Sequence, residues 1–315
     1  MKPSSSYPFR SAQAKAEYVA LYQERAKAWP VASETRLIET PSGQTHVRVS
    51  GHPTDPPLVL LHGARGNALM WIPNIAMLSA GYLTYAVDTI GDIGLSVSQR
   101  KLTGADDYMN WLDEVLAVLV PEGAFCLMGM SYGGGLAAQY AVRFPERIRR
   151  LVLLAPATAL PPSFALILRA LLTLLPRTAF RKRFYYWLLR DLVQSGETGR
   201  ARVDEAVADW SVAERCFSPL PTIPLPVIGD KALQSLRMPT LFMVGENEKI
   251  YSAQKAVRRL NRVAPQIKTE IIPQAGHDLW IVQAEIVTKK ILDFLGDPGA
   301  GTPSTLTSMA HSQHE

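Results

Sequence analysis

Hydrophobic and polar positions alternate with period two through SETRLIET and QTHVRVS, on either side of Pro41-Ser42-Gly43. That pattern predicts an antiparallel hairpin with one buried face. Ahead of it, residues 9–29 repeat apolar positions at helical spacing and stop at Pro30, which cannot continue a helix. Behind it, after the proline-rich HPTDPP, the pattern changes. LVLLHG, YLTYAVD, AFCLMGM, LVLLAPA, PTLFMVG and KTEIIP are strand-like, most of them apolar on both faces, as expected of strands covered on both sides in a parallel sheet. Helical patterns at 106–119, 132–143, 252–263 and 279–295 fall between or after them. The predicted class is α/β, with a mostly parallel central sheet and helices on both faces.

Residues 157–231 break this alternation. They are largely helical in pattern, rich in Leu and Arg, and close with the proline-rich SPLPTIPLP. The expected organisation is therefore an N-terminal helix (1–30), an α/β core in two pieces (31–156 and 232–297), an inserted helical cap (157–231) and a disordered polar tail (298–315).

Composition sharpens this picture. The 315 residues are 47% hydrophobic and 19% charged, enough for a sizeable core. The most apolar run, 164–176, is interrupted by Arg169 and is shorter than the roughly 20 residues that span a bilayer. The N-terminus lacks the apolar stretch of a secretory signal, so a cytoplasmic location is expected. Cys126 and Cys216 are the only cysteines, which predicts neither a disulfide framework nor a zinc cage. The net charge of +5 is concentrated, since residues 161–200 hold seven cations against two carboxylates. That basic stretch is interleaved with Leu, Phe, Tyr and Trp at helical spacing, so no nucleic-acid partner is expected.

Candidate chemistry centres on Gly129-Met130-Ser131-Tyr132-Gly133, a G-x-S-x-G between a buried strand and a helix. There a tight turn pushes the serine into an exposed, strained position and requires small neighbours. A serine hydroxyl is a poor nucleophile near neutral pH, so it needs a base and a group that orients the base. His277, in QAGHD after the last strand, is the histidine late in the patterned part of the chain. The acid should follow a strand between Ser131 and His277. LFMVGENEKIY offers Glu246 and Glu248, with Glu248 preferred on loop reach and Asp278 a further candidate. The order Ser, acid, His is the one this architecture requires. Two N–H donors should face the oxyanion that forms: that of Tyr132 at the start of the following helix, and that of Ala64 in HGARGN, where Gly63 permits close approach.

These motifs together resemble the α/β-hydrolase superfamily from about Ser33 to Gly296, interrupted by the cap. LLHGARGN is similar to its oxyanion loop, VDTIGDIGLS to the loop after the next strand, GMSYGG to the nucleophile elbow, GENE to the acid loop and QAGHD to the histidine loop. The resemblance implies the α/β-hydrolase fold, with Ser131 as nucleophile, His277 as base, Glu248 as acid and Ala64 and Tyr132 as oxyanion donors. It departs from the family in carrying Glu where Asp is commoner at the acid position. The serine nucleophile argues against the dehalogenase and epoxide-hydrolase reactions, whose nucleophile is Asp. Among groups of the superfamily the chain looks most like capped serine carboxylesterases.

Gly133-Gly134-Gly135-Leu136-Ala137-Ala138 also fits the dinucleotide fingerprint G-x-G-x-x-A, but the next strand ends Leu154-Ala155-Pro156 without the acidic residue that would hold a ribose. No cofactor and no metal are expected. The expected partner is a small ester with an apolar acyl or alcohol group. Thioesterase, lactonase, carbon–carbon hydrolase or acyltransferase chemistry on the same groups, and a receptor that has kept the fold, are the alternatives. Trp71, Phe164 and Trp187 are candidates for the substrate pocket. The segments SFALILRALLTLLP and FRKRFYYWLLR either pack the cap onto the core, line that pocket or touch a lipid surface, without stable membrane insertion.

Overall fold

The computed structural model describes residues 8–99, 102–173, 178–219 and 223–296; the expected tail at 298–315 lies outside them. The predicted hairpin is β1 (Glu34–Thr40) and β2 (Gly43–Ser50), paired antiparallel from Glu34 opposite Val49 to Thr40 opposite Gly43. The buried runs form β3 (Pro57–Leu61), β4 (Leu83–Val87), β6 (Phe125–Met130), β7 (Ile148–Leu154), β8 (Thr240–Gly245) and β9 (Ile267–Ile272), and a two-residue β5 (Val97–Ser98) pairs with β2. The sheet order is β1-β2-β4-β3-β6-β7-β8-β9, parallel from β4 through β9. β6 and β8 are buried at every position, which explains why their sequence shows no alternation.

Helices α2 (Ile72–Leu78), α3 (Ala105–Leu119), α4 (Tyr132–Arg143), α10 (Ala253–Val263), α11 (Leu279–Val282) and α12 (Ala284–Leu295) accompany the sheet. The single helix expected at 279–295 is two. Asn74 Nδ2 donates to Trp280 O at 3.0 Å, taking the carbonyl that an unbroken helix would offer to Ala284, and the chain leaves helical geometry at Gln283.

Between β7 and β8 the described residues form the helices α5 (Phe164–Leu172), α6 (Thr178–Leu188), α7 (Arg190–Gln194), α8 (Glu197–Cys216) and α9 (Asp230–Gln234), with an isolated bridge from Phe217 to Phe9. The predicted boundary at residue 231 falls inside α9, and the N-terminal helix is α1 (Ala12–Ala26). It is tied to the insertion by Arg25, which forks onto Asp209 at 2.8 and 2.9 Å, and by a cluster of Phe9, Tyr18, Tyr22 and Phe217. It is tied to the core by Tyr22, whose hydroxyl reaches Asp88 at 3.4 Å.

Asp88, at the end of β4, is fully buried. Its carboxylate also accepts the Ala68 N–H (2.7 Å) and the Leu95 N–H (2.8 Å). Burial alone would raise this carboxyl. The proximity of His46, 3.1 Å away, with His62 and the Leu95 N–H, outweighs it and holds the group below its ordinary range.

Candidate active site

The turn between β6 and α4 places Ser131 at φ 53° and ψ −113°, a backbone region that costs a side-chain-bearing residue about 1–3 kcal/mol and persists only where its surroundings hold it. Three hydrogen bonds hold it here. The Ser131 N–H donates to Leu154 O (2.9 Å), while its carbonyl accepts the N–H groups of Gly135 (3.0 Å) and Ala157 (2.9 Å). The flanking glycines are steric necessities. A methyl on Gly129 would overlap the Gly133 carbonyl, and one on Gly133 would overlap the carbonyls of Leu61 and His62.

His277 arrives on the loop after β9. Its Nδ1 lies 2.9 Å from Glu248 Oε2, and its Nε2 lies 2.9 Å from Ser131 Oγ. A carboxylate only accepts, so Nδ1 carries the proton and Nε2 is left to accept from the serine hydroxyl. The second Glu248 oxygen accepts the N–H groups of Lys249 (2.7 Å) and Ile250 (2.8 Å), which leaves the side chain wholly buried with both oxygens engaged. Burial and the Glu248 charge hold the neighbouring Tyr251 phenol well above its ordinary range. Of the three acids considered, the structure brings Glu248 to the imidazole. Glu246 is exposed and accepts the Gln274 N–H at 3.3 Å, and Asp278 is turned elsewhere.

The acid and histidine loops are joined backbone to backbone, with the Asn247 N–H donating to Ala275 O at 2.9 Å. A methyl on Gly245 would overlap the carbonyls of Ala275 and Gly276. The insertion is fastened to both loops. Asp278 accepts the Leu192 N–H from α7 at 2.8 Å and the Gly276 N–H at 3.1 Å, and Asn247 Nδ2 donates to Asp191 at 3.0 Å. Burial, aided by the charge of Asp191, pushes the Asp278 carboxyl above its ordinary range. Sequence reasoning did not find this seam, because its four residues come from three separate segments.

The loop at 62–67 is braced on two sides. The Thr89 N–H donates to His62 Nε2 at 2.9 Å, so the ring proton sits on Nδ1 and goes to Gly63 O at 2.8 Å; the Gly66 N–H reaches the same carbonyl at 3.1 Å. A trans peptide points its C=O and N–H in opposite directions, so tethering the Gly63 carbonyl also aims the Ala64 N–H. Arg65, at φ 60°, donates its N–H to Asp92 at 3.0 Å. A methyl built on Gly63 would sit 3.4 Å from Ser131 Cβ, so this loop runs directly beside the serine.

The three pocket candidates occupy different settings. Trp71 is fully buried in the main core, and Trp187 is half-buried with the Arg169 guanidinium 4.7 Å over its ring. Phe164 is 79% exposed on α5, because the inward side of that helix is taken by Leu166 and Arg169. Among the described residues, no three His, Cys, Asp or Glu side chains are grouped to hold a metal ion.

Residues 58–289 match the model of the alpha/beta hydrolase family. The chain is 32% identical over 290 residues to the carboxylesterase YbfK of Bacillus subtilis, covering 92% of this chain and 97% of that one. It is 34% identical over 277 residues to the uncharacterized carboxylesterase nap of the same organism, covering 88% and 91%. The solved structure of a naproxen esterase (carboxylesterase NP) from Bacillus subtilis superposes with a TM-score of 0.81 at 33% identity, covering 91% of this chain and all of that one.

Proposed function

This chain belongs to the alpha/beta hydrolase family, and on that premise we propose that it is a cofactor-independent serine carboxylesterase acting on esters with an apolar acyl or alcohol group. The observation that carries this reading is the unbroken relay of two 2.9 Å contacts from Ser131 through His277 to Glu248. The carboxylesterase relatives, matched over nearly their whole length, support the same chemistry.

Ser131 Oγ attacks the ester carbonyl carbon while His277 Nε2 takes its proton, and Glu248 holds the ring and balances the imidazolium charge. The Ala64 and Tyr132 N–H groups receive the oxyanion, each such donor being typically worth about 3–4 kcal/mol in the transition state. The tetrahedral intermediate collapses, the C–O bond breaks, and His277 returns the proton to the departing alkoxide. Water then attacks the acyl-enzyme with His277 again as base, releasing the acid and restoring Ser131. In this reading the helical insertion is a cap, fastened to the triad through Asp278 and Asn247.

Initial rates on p-nitrophenyl esters from acetate to dodecanoate test the proposal. Turnover should depend on Ser131, and the chain-length optimum should size the acyl pocket. No turnover above that of Ser131→Ala on any ester would overturn it in favour of a ligand-binding role.

A further inference from the structure

Helix α5 is amphipathic in the wrong direction for a helix packed on a core. Phe164, Ile167, Leu168 and Leu171 follow the i, i+3, i+4, i+7 spacing of one helical face, yet they are 79%, 44%, 47% and 58% exposed. With Leu172 they make up half of the ten exposed large hydrophobic side chains among the described residues. The inward side carries Leu166, packed on the core, and Arg169, stacked on Trp187. A contiguous apolar stripe held in water is the signature of an interaction surface rather than of a folded interior.

Charge decides what the stripe meets. From Arg147 to Arg190 the sequence contains no Asp or Glu, so α5, α6 and the start of α7 form a stretch with cations alone. Lys182 and Arg181 are neutralised by Asp204 and Glu214 of α8, whereas Arg183 and Arg190 are exposed. An apolar helical face in an acid-free stretch whose exposed Arg183 and Arg190 form no ion pair among the described residues is complementary to an anionic lipid surface, which supplies hydrocarbon for the stripe and phosphate for the guanidinium groups. At nine residues α5 cannot span a bilayer, and no described helix is long and apolar enough to do so. A second copy of this chain would bring the same cations face to face.

The position of α5 gives the contact a use. Its N-terminal Ser163 donates its N–H to Ile250 O (2.6 Å) and its hydroxyl to Lys249 O (2.9 Å), the two residues whose N–H groups hold Glu248. We propose that the outward face of α5, with Arg183 and Arg190, docks the protein reversibly on membranes containing anionic lipids. The acid loop is thereby held at the lipid–water boundary, where apolar esters accumulate. Docking is read without turnover, so it stands or falls separately from the esterase reading.

Co-sedimentation of the full chain with phosphatidylcholine vesicles, with and without about a third phosphatidylglycerol, tests this. Binding should require the anionic lipid and weaken with added salt. Ile167→Glu/Leu171→Glu should cut partitioning about tenfold or more, and Arg183→Glu should cut it less. Both variants should keep the wild-type melting temperature and the rate on soluble p-nitrophenyl acetate, which shows that they fold. No partitioning into anionic vesicles, equal partitioning of wild type and the double variant, or a wild-type dimer that Leu168→Glu dissociates would each overturn the proposal.

Discussion

The carboxyl end of the sheet and helix α5 of the insertion place apolar residues by opposite rules. In β6, all six residues are buried, and the strained Ser131 that follows is fixed by three backbone hydrogen bonds and two glycines that admit no methyl. In α5, no residue is fully buried and the most apolar face looks outward. The difference teaches that hydrophobicity marks a core only where the surrounding elements can cover it. The central strands β6 and β8 are covered on both faces, whereas α5 is pinned at its N-terminus to the acid loop and turns Leu166 and Arg169 inward.

If the sheet end is a preorganised catalytic frame, Glu248→Gln should lower kcat by about 10²–10⁴-fold with little change in KM, while Glu246→Gln should remain near wild type. Steady-state kinetics on the best ester decides this, and the reverse ranking would move the acid by two residues. Next in size is Asp88→Ala. It strands the buried Ala68 N–H and the part-buried Leu95 N–H and should cost about 3 kcal/mol in chemical denaturation.

Asp88 and Asp278 sharpen the comparison through pH. Asp88 is held low, so its contribution is complete above about pH 4 and is lost as pH falls through its depressed folded value. The melting-temperature gap between wild type and Asp88→Asn should therefore narrow in acid. Asp278, at the seam with the insertion, is held high by burial and Asp191. Its ionised form is penalised in the fold, so Asp278→Asn should gain on wild type as pH rises from about 4 through the raised folded value. The smallest effect belongs to the outward face of α5, where Leu168→Glu should change stability by no more than about 0.5 kcal/mol. A loss of several kcal/mol there would erase the contrast between the two regions.

Much of the frame is legible in the sequence, because buried parallel strands announce themselves as short apolar runs and because the serine turn demands its glycines. Loop reach favours Glu248 over Glu246 without deciding between them, and it is the folded geometry that brings Glu248 within 2.9 Å of His277. Other features depend on tertiary contacts that no local pattern encodes. The break at Gln283 needs Asn74 to take a carbonyl more than 200 residues away. The seam of Asp191, Leu192, Asn247 and Asp278 needs three segments to meet, and the outward turn of α5 inverts the rule by which a Leu-rich stripe is read as interior.

The most direct test of the central claim is covalent labelling of the full chain with a fluorophosphonate ester, read by intact-mass and peptide mass spectrometry. One adduct per chain on the peptide containing Ser131, formed much more slowly in Glu248→Gln and absent in Ser131→Ala, is the predicted result. Ester hydrolysis that persists with no adduct, or with the adduct on another residue, would contradict the assignment of Ser131, His277 and Glu248 as the reacting unit.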